Sequence, residues 1–402
     1  MNVAALATLA VAGTSFAQSS VTIGGIVEIA PFHTGTVTTR DAGAENPEVQ
    51  RKSTRTAGPN TWATSVLNIS GTEDLGGGLS ASFFLMTGLG TLPNTNTNAA
   101  DGGIGNRERS LSVTSKDLGT LRFGRFVAAP GTGFHAFSGA GSATMPGSSY
   151  GFSQGHSATA AGDFGHNNFH ANANPNANYE RQNNLLQFTS NAMNGFTVTV
   201  AHGRDSLDRT DVTRPGETKN EYTGVQLGYV AGPLSLAVGI NERKGETEAA
   251  AAVPFSLGPP TILPVDAVTN STNKGSLNWV GASYNFGPFA LFGHHATREE
   301  ETTSAGVTTT ANDMKITGLG ISAPIGAWTL RASANSGKDS RGVGNADNMK
   351  LAGHQVSAVY ALSKRTSLIA AAGKNEYKRD GAESTAATRK YESKTLTVMH
   401  TF

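Results

Sequence analysis

Apolar and polar residues alternate with a period of two along much of the chain. The segment Leu234–Ile240 puts Leu and Val or Ile side chains on one face and only Ser, Ala and Gly on the other. The same alternation recurs in Val225–Tyr229, Val280–Phe286 and Trp328–Ala334. A period of two predicts β-strands with one apolar face and one small or polar face. The chain is therefore predicted to be all-β.

The polar faces carry mainly Gly, Ser, Thr and Asn, and few of the long charged side chains that cover the outside of a soluble sandwich. In a membrane barrel the apolar face contacts lipid and the polar face lines a wet lumen. Aromatic residues near the predicted strand ends suit the interfacial girdles of such a barrel; these residues are Tyr222, Tyr229, Tyr284, Phe286, Trp328 and Tyr360. We predict a membrane barrel, and a soluble β-protein is the alternative.

Short and long connections alternate between the predicted strands. The short ones carry turn chemistry and are Thr72–Gly78, Ser115–Gly119, Ser190–Gly195, Val230–Pro233, Asn285–Pro288, Ser322–Gly326 and Ala361–Arg365. The long ones are polar and are 31–60, 88–106, 127–182, 203–220, 242–274, 296–312, 336–349 and 377–390. Seven short and eight long connections join sixteen strands. Short periplasmic turns, long external loops and an even strand number are typical of a 16-stranded antiparallel transmembrane β-barrel.

The composition excludes several other classes of protein. Charged residues make up 15% of the chain, against about 25% in a typical soluble domain. Cysteine is absent, which excludes a disulfide scaffold, a thiolate zinc site and an iron–sulfur centre. A net charge of +1 argues against a nucleic-acid partner, and no uncharged apolar run is long enough for a transmembrane helix. No cofactor or metal is expected.

The first residues resemble a signal peptide. An apolar stretch from Met1 to Val11 is followed by small residues at Ser15 and Ala17, so cleavage is expected after residue 17, leaving 18–402 as the barrel domain. No Lys or Arg precedes the apolar stretch. A start codon placed a few residues late would explain this, and a non-secreted chain with a strand-like N-terminus is the alternative.

The longest connection, 127–182, contains candidate functional residues. It spans 56 residues, and loops of this length in compact proteins are usually functional. Its histidines are His135, His156, His166 and His170, and its only carboxylates are Asp163 and Glu180. Gly151–Gly155 matches the G-x-S-x-G nucleophile motif, and His166 and His170 have the spacing of a helical metal site. The Gly-, Ser- and Asn-rich surroundings favour a chance match in both cases, because each motif needs a helix.

Five segments resemble the general porins of β-proteobacteria. They are Ser70–Leu79, Ser115–Arg125, Val280–Phe286, Leu362–Leu368 and His400–Phe402. The resemblance implies a homotrimeric 16-stranded diffusion porin whose long third loop folds into the pore. It also implies that Phe402, with Val398 and Leu396 on its face, is the C-terminal signal read by the barrel-assembly machinery.

In that family, arginines on the wall face acidic residues on the third loop. Arg107 and Arg181 match wall arginines of the family, and alternation predicts that Arg122 and Arg331 also face the lumen. The loop side would carry Asp163 and the four histidines. If the loop folds into the pore, their protonation would add positive charge at the constriction between about pH 7.5 and 5.5; the alternative is that they lie on the wet flank of the loop and change nothing. The chain departs from the pattern at three places, where Val66, Ser70 and Gln187 stand at positions that are usually basic. Glu28 is also expected to face the lumen.

These residues together predict an outer-membrane pore for passive diffusion of small hydrophilic solutes and ions, with a mild anion preference and no catalysis. Its expected partners are a second and third copy of the chain, outer-membrane lipid and lipopolysaccharide, and the barrel-assembly machinery. A substrate-specific channel is the main alternative. A lipase-type outer-membrane enzyme using Ser153 and a β-rich adhesin are the others.

Overall fold

The computed structural model describes residues 20–40, 49–55, 58–59, 61–89, 104–142, 145–149, 181–209, 216–249, 270–340, 348–380 and 388–402. Almost all of them belong to one antiparallel sheet of 18 strand segments. Two short helical segments, α1 (Ala129–Thr132) and a 3-10 helix (Gly133–Phe137), follow one another after the seventh strand. No helix in this part of the chain is long and apolar enough to span a membrane.

The strands, in chain order, are β1 (Ser20–Arg40), β2 (Val49–Arg55), β3 (Gly58–Pro59), β4 (Val66–Gly76), β5 (Leu79–Gly88), β6 (Glu108–Ser115), β7 (Gly119–Val127), β8 (Arg181–Ser190), β9 (Phe196–Arg209), β10 (Gly216–Ala231), β11 (Leu234–Ala249), β12 (Ser271–Asn285), β13 (Ala290–Ser304), β14 (Val307–Ile325), β15 (Trp328–Asp339), β16 (Asn348–Ala361), β17 (Thr366–Asp380) and β18 (Thr388–Thr401).

The sheet closes on itself as a barrel of sixteen positions. Segments β2, β3 and β4 pair with successive stretches of β1, so together they occupy one position in the barrel. The last strand, β18, pairs with the other edge of β1, with Thr401 opposite Ile26. Gly25 and Phe402 exchange both backbone hydrogen bonds, at 3.1 and 3.2 Å. The predicted 16-stranded antiparallel barrel, closed by pairing of the first and last strands, is confirmed.

Alternation sorts side chains between the two surfaces of the barrel as predicted. On β11, Leu236, Val238 and Ile240 are exposed on the outside, whereas Gly239 and Asn241 are buried on the inside. The outward apolar side chains form the lipid-facing band of a membrane barrel. The seven predicted short turns are also confirmed, because each falls at a junction between paired antiparallel strands.

Aromatic pairs lie on the outer face near these short turns. The rings of Phe196 and Tyr229 contact each other in a tilted arrangement, as do those of Trp328 and Tyr360, with centroids 4.4 and 4.7 Å apart. Such pairs suit the interfacial girdle of a barrel. Tyr222, which was predicted to join them, instead faces the lumen and is only 2% exposed. The prediction was wrong because Tyr222 has the opposite parity to the outward Val225.

Several strands extend further than the predicted loops allow. The segment 296–312, predicted as a long loop, is a hairpin in which β13 and β14 pair as far as Ser304 and Val307. Glu299–Glu301 therefore belongs to a strand and not to a loop. Similarly, β1 continues to Arg40. Above the membrane both faces of a strand are wet, so the hydrophobic alternation ends although the hydrogen-bonded pairing continues.

Candidate pore constriction

The chain turns into the barrel directly after β7. Ala128 precedes α1, and Pro130 lies in its first turn, where a missing backbone N–H costs nothing. Phe134 and Phe137 of the following 3-10 helix are buried inside the barrel. Both rings lie near Trp279 of β12, and their centroids are 6.2 and 6.3 Å from that of the indole. The described part of the third loop thus folds into the lumen, as predicted.

Wall side chains hold the start of the loop through hydrogen bonds to its backbone. The indole N–H of Trp279 donates to the carbonyl of Pro130 at 2.6 Å, and the side-chain amide of Asn241 donates to the same oxygen at 2.8 Å. The Tyr222 hydroxyl orients Asn241 by donating to its Oδ1 at 2.7 Å. Gln187 accepts from the N–H of Ala129 at 3.1 Å. Gln187, at a position that is usually basic, therefore positions the loop.

Amides on β15, β16 and β17 hold the later part of the loop. Gln355 accepts from the N–H of Ser142 at 2.9 Å. Asn375 accepts from the N–H of Gly147 at 2.8 Å, and Asn335 donates to the Gly147 carbonyl at 2.6 Å. The Ser142 hydroxyl reaches the carbonyl of Trp62 in the first loop. The loop thus lies along the inner wall from β8 to β17.

Wall glycines give the loop its space. A Cβ atom at Gly320 would collide with the carbonyl oxygen of Ser138, and one at Gly373 would collide with that of Pro146. A Cβ at Gly281 would collide with the ring of Phe137. The small residues on the inner faces, which the sequence predicted to line water, therefore include the surface on which the loop packs.

Arg122 of β7 faces the lumen and is paired with a carboxylate. Its Nη2 donates to Glu108 Oε2 at 3.2 Å, and its guanidinium lies 4.2 Å from the centroid of the Phe126 ring. The other Glu108 oxygen accepts from the N–H of Val127 at 3.4 Å. Glu108 was not predicted from the sequence, although it shares the lumenal parity of Ser110 on β6.

A second lumenal arginine is also neutralised. Arg298 of β13 is fully buried, and its Nε donates to Glu300 Oε1 at 2.9 Å. Arg243 of β11 lies in the same register row as Glu300, with Gly275 between them. None of these three residues was predicted to line the pore, because both segments were expected to be loops.

Arg331 of β15 lies on the inner face, as alternation predicts. It shares that face with Ser333 and Asn335, which are buried. It pairs in register with Ser357, whose hydroxyl would lie 2.5 Å from a Cβ on Gly141 of the loop. Arg331 is therefore at the level of the loop, and within the described ranges it has no carboxylate partner.

The two arginines assigned from the family differ in position. Arg107 precedes β6, and its stem lies over the lumenal side of Gly88, where a Cβ would come within 3.4 Å of Arg107 Cδ. Arg181 begins β8 opposite Val127, whereas the next residue, Gln182, is buried on the inner face opposite Phe126. The register thus gives the lumenal position to Gln182 and not to Arg181.

Glu28 of β1 faces inward but has no accessible surface. Its carboxylate accepts hydrogen bonds from the backbone N–H of Thr61 at 2.8 Å and from the Thr61 hydroxyl at 2.6 Å. A third comes from the N–H of Trp62 at 3.3 Å. The first loop therefore covers this carboxylate and separates it from water in the pore.

His135 is the one predicted loop histidine within the described residues. Its ring lies 4.0 Å from that of Phe134, and its Nδ1 has almost no accessible surface. Burial, reinforced by nearby His294, holds the pKa of His135 well below its ordinary value. His156, His166, His170, Asp163, Glu180 and the motif 151–155 lie outside the described residues.

A closed 16-stranded barrel with a loop packed inside its lumen defines the class of outer-membrane channels. The chain matches the profile of the Gram-negative porin family over residues 3–380 and belongs to that family. It is a porin of the outer membrane, where it forms a channel for passive diffusion.

Individual porins resemble the chain over most of its length. The outer membrane porin protein 32 of Delftia acidovorans is 28% identical over 370 residues, covering 90% of this chain and 86% of that protein. A porin of Bordetella pertussis is 24% identical over 93% of this chain and 94% of its own. Among solved structures, an anion-selective porin from Comamonas acidovorans has a TM-score of 0.56 at 21% identity, covering 96% and 100% of the two chains.

Proposed function

We propose that the pore passes small hydrophilic solutes and ions with a mild preference for anions. The observation that carries the proposal is the position of Arg331, which faces the lumen beside the loop without a carboxylate partner among the described residues. In a narrow pore, an effective dielectric near 20 makes one charge at ~4 Å worth about 4 kcal/mol. One unbalanced arginine is therefore enough to bias the permeating ions.

Three lumenal carboxylates support the same preference, because each is already engaged. Glu108 is paired with Arg122, and Glu300 is paired with Arg298. Glu28 is covered by Thr61 and Trp62. The similar Comamonas acidovorans porin is itself anion-selective, which agrees with the proposal.

The test is the reversal potential of single channels in a planar bilayer under a potassium chloride gradient. We expect a sign that reports chloride preference, and Arg331→Gln should move the potential toward zero. Arg204→Gln is the matched control, because Arg204 is exposed on the outer face of β9 opposite Glu221. Clear cation selectivity of the unmodified protein, or an equal shift in both variants, would overturn the proposal.

We also propose that the channel is a homotrimer that is exported with cleavage after Ala17. A solved porin with a similar fold, OmpT of Vibrio cholerae, has a trimer form, at a TM-score of 0.54 and 12% identity. Native mass spectrometry of the purified protein should give three copies per particle, each beginning at Gln18. Particles with a single copy would contradict the trimer, and an intact N-terminus would contradict cleavage after Ala17.

We further propose that the chain carries no catalytic activity. The similar proteins are porins, which are channels. Purified protein and its Ser153→Ala variant should show the same background hydrolysis of ester substrates. A hydrolytic activity that vanished in the variant would show that the channel is also an enzyme.

A further inference from the structure

Two large apolar side chains of β5, Phe84 and Met86, face the lumen. Phe84 pairs in register with Ser110 of β6, and Met86 pairs with Glu108. Ser110 and Glu108 are buried on the inner face of the barrel, whereas Leu111, between the inward positions, is exposed on the outer face. Phe84 and Met86 therefore form an apolar strip on the inner wall.

The apolar strip keeps contact with the lumen, unlike the apolar side chains beneath the third loop. Phe134 of the loop and Trp279 of the wall are buried against each other. Phe84 and Met86 are each only half-buried. The described part of the loop is held by β8 to β17, and β5 lies outside that arc of wall. A solute that passes the loop therefore meets the strip.

The apolar strip lies at the height of the constriction. Met86 is directly opposite Glu108, and the Glu108 carboxylate accepts from the N–H of Val127, the last residue before the chain turns inward. Directly paired residues of an antiparallel sheet have α-carbons only about 4.5–5.5 Å apart. The strip is therefore level with the point at which the loop enters the lumen.

Arg107 places a positive charge on the external side of the strip. Its backbone N–H donates to the carbonyl of Met86 at 3.0 Å. Its stem lies over Gly88, the next inward position of β5, and β5 runs from a short turn toward a long connection. Two residues along a strand span about 6.6 Å, which is close to the length of a benzoate ion. The charge and the apolar strip are therefore spaced as in an aromatic carboxylate.

A second guanidinium group lies beside the strip. Arg122 Nε donates to the Ser110 hydroxyl at 3.0 Å, and its Nη2 donates to Glu108. Arg107, Arg122 and Glu108 together carry one net positive charge. This part of the wall thus combines apolar surface with an excess of positive charge.

We propose that the apolar strip and Arg107 form a binding site for small aromatic carboxylates of the benzoate class. The guanidinium of Arg107 presents a planar fork of donors that matches a carboxylate. The aromatic ring then lies on Met86 and Phe84, through sulfur–aromatic and offset ring contacts. The inference rests on the proposed passage of anions and narrows it to one class of solute.

The apolar strip favours an aromatic carboxylate over other anions of the same charge. Removing apolar surface from water contributes about 25 cal/mol per Å². Chloride has no apolar surface, and acetate has only a methyl group, whereas benzoate has a whole ring. The strip therefore discriminates among anions by their apolar area, which Arg107 alone would not do.

The test measures single-channel conductance in potassium chloride while sodium benzoate is added at neutral pH and constant ionic strength. Benzoate in the site should obstruct chloride, and its half-blocking concentration should be at least about fivefold lower than that of sodium acetate. Benzyl alcohol, which keeps the ring but lacks the charge, should not block at the same concentrations.

The test variant combines Phe84→Thr with Met86→Thr. It should raise the half-blocking concentration of benzoate at least about fivefold and leave the reversal potential in potassium chloride unchanged. Arg107→Gln should weaken the benzoate block by a similar factor, because the carboxylate loses its partner. Phe83→Leu, on the outer face of the same strand, is the matched control and should leave the block unchanged. Heat-modifiable migration establishes that each variant folds, and Phe84→Thr alone replaces the pair if the pair does not.

The outcomes separate this inference from the proposed function. Equal half-blocking concentrations of benzoate and acetate, an unchanged benzoate block in the Phe84 and Met86 variant, or an equal loss of block in Phe83→Leu would overturn the inference and leave the anion preference intact. Cation selectivity of the unmodified channel in potassium chloride would overturn the proposed function itself, and this inference with it.

Discussion

Glu108 hydrogen-bonds both to Arg122 of the barrel wall and to Val127 at the start of the third loop. One of its carboxylate oxygens accepts from Arg122 Nη2 at 3.2 Å, and the other accepts from the backbone N–H of Val127, the last residue before the chain turns inward. A single carboxylate therefore sets the net charge of this part of the wall and fixes the root of the loop.

Replacing Glu108 with Gln should strengthen the anion preference of the pore. The variant keeps an oxygen that can accept from Val127 but removes the charge that balances Arg122. The reversal potential in a salt gradient should shift toward chloride, and the shift should shrink at high ionic strength because salt screens the freed charge.

The double variant Glu108→Gln with Arg122→Gln is the control for this prediction. It removes both charges, so its reversal potential should return close to that of the unmodified pore. A shift toward potassium in the single variant would show that the Arg122–Glu108 pair does not face the permeating ions.

Replacing Trp279 with Phe should loosen the loop without unfolding the barrel. The ring would still pack against Phe134, but the donor to the Pro130 carbonyl would be lost. Asn241 still donates to that oxygen, so the cost should be about 1 kcal/mol. Single-channel recordings should show larger open-channel current fluctuations. Trp328→Phe, on the outer face, is the control and should leave the current unchanged.

His135 should remain neutral between pH 7.5 and 5.5. Its pKa is lowered in the folded protein, so the unfolded chain binds more protons below about pH 6.5. Burying His135 in its neutral form therefore has no effect on the free energy of unfolding above that pH. Below it, the free energy of unfolding decreases as the pH falls toward the lowered pKa. His135→Gln should leave ion selectivity unchanged over this range and should weaken the acid sensitivity of thermal unfolding. If His135→Gln changed ion selectivity by the same amount at pH 5.5 and 7.5, the side chain of His135 would have a steric role in the pore and not an electrostatic one.

The sequence predicted the barrel well because lipid imposes a simple rule on the strands. Wherever one face contacts hydrocarbon, as at Leu236 and Val238, the alternation is clear and fixes which residues face the lumen. The turns and the closing pair of strands follow from the same pattern. Arg298 and Glu300 were missed because they lie above this band, where both faces are polar and the pattern disappears.

The constriction was harder to predict because its residues interact across long sequence separations. Alternation places Glu108 and Arg122 on one face, but only the paired strands reveal that they form an ion pair. The role of Gln187 could not be predicted either, since its partner, Ala129, lies in a loop whose path depends on the whole wall.

Deleting Phe402 should impair assembly and not ion flow. Its N–H and carbonyl both bond to Gly25, and its ring lies beside the same glycine, so the last residue closes the barrel. An open edge in lipid leaves backbone groups unsatisfied, at a cost of several kcal/mol each. Surface labelling and heat-modifiable migration should reveal little folded protein in the outer membrane. Normal amounts of folded barrel in the truncated variant would refute this role.

Arg107 and Arg181 should differ in their effect on ion preference, although both match wall arginines of the family. The stem of Arg107 lies over the lumenal side of Gly88, whereas register gives Gln182 the inner position beside Arg181. Arg107→Gln should therefore reduce chloride preference in a reversal-potential measurement, and Arg181→Gln should change it little. Both substitutions remove one positive charge, so each controls for the other. Equal effects of the two substitutions would show that an arginine side chain here reaches the pore whether its strand position faces inward or outward.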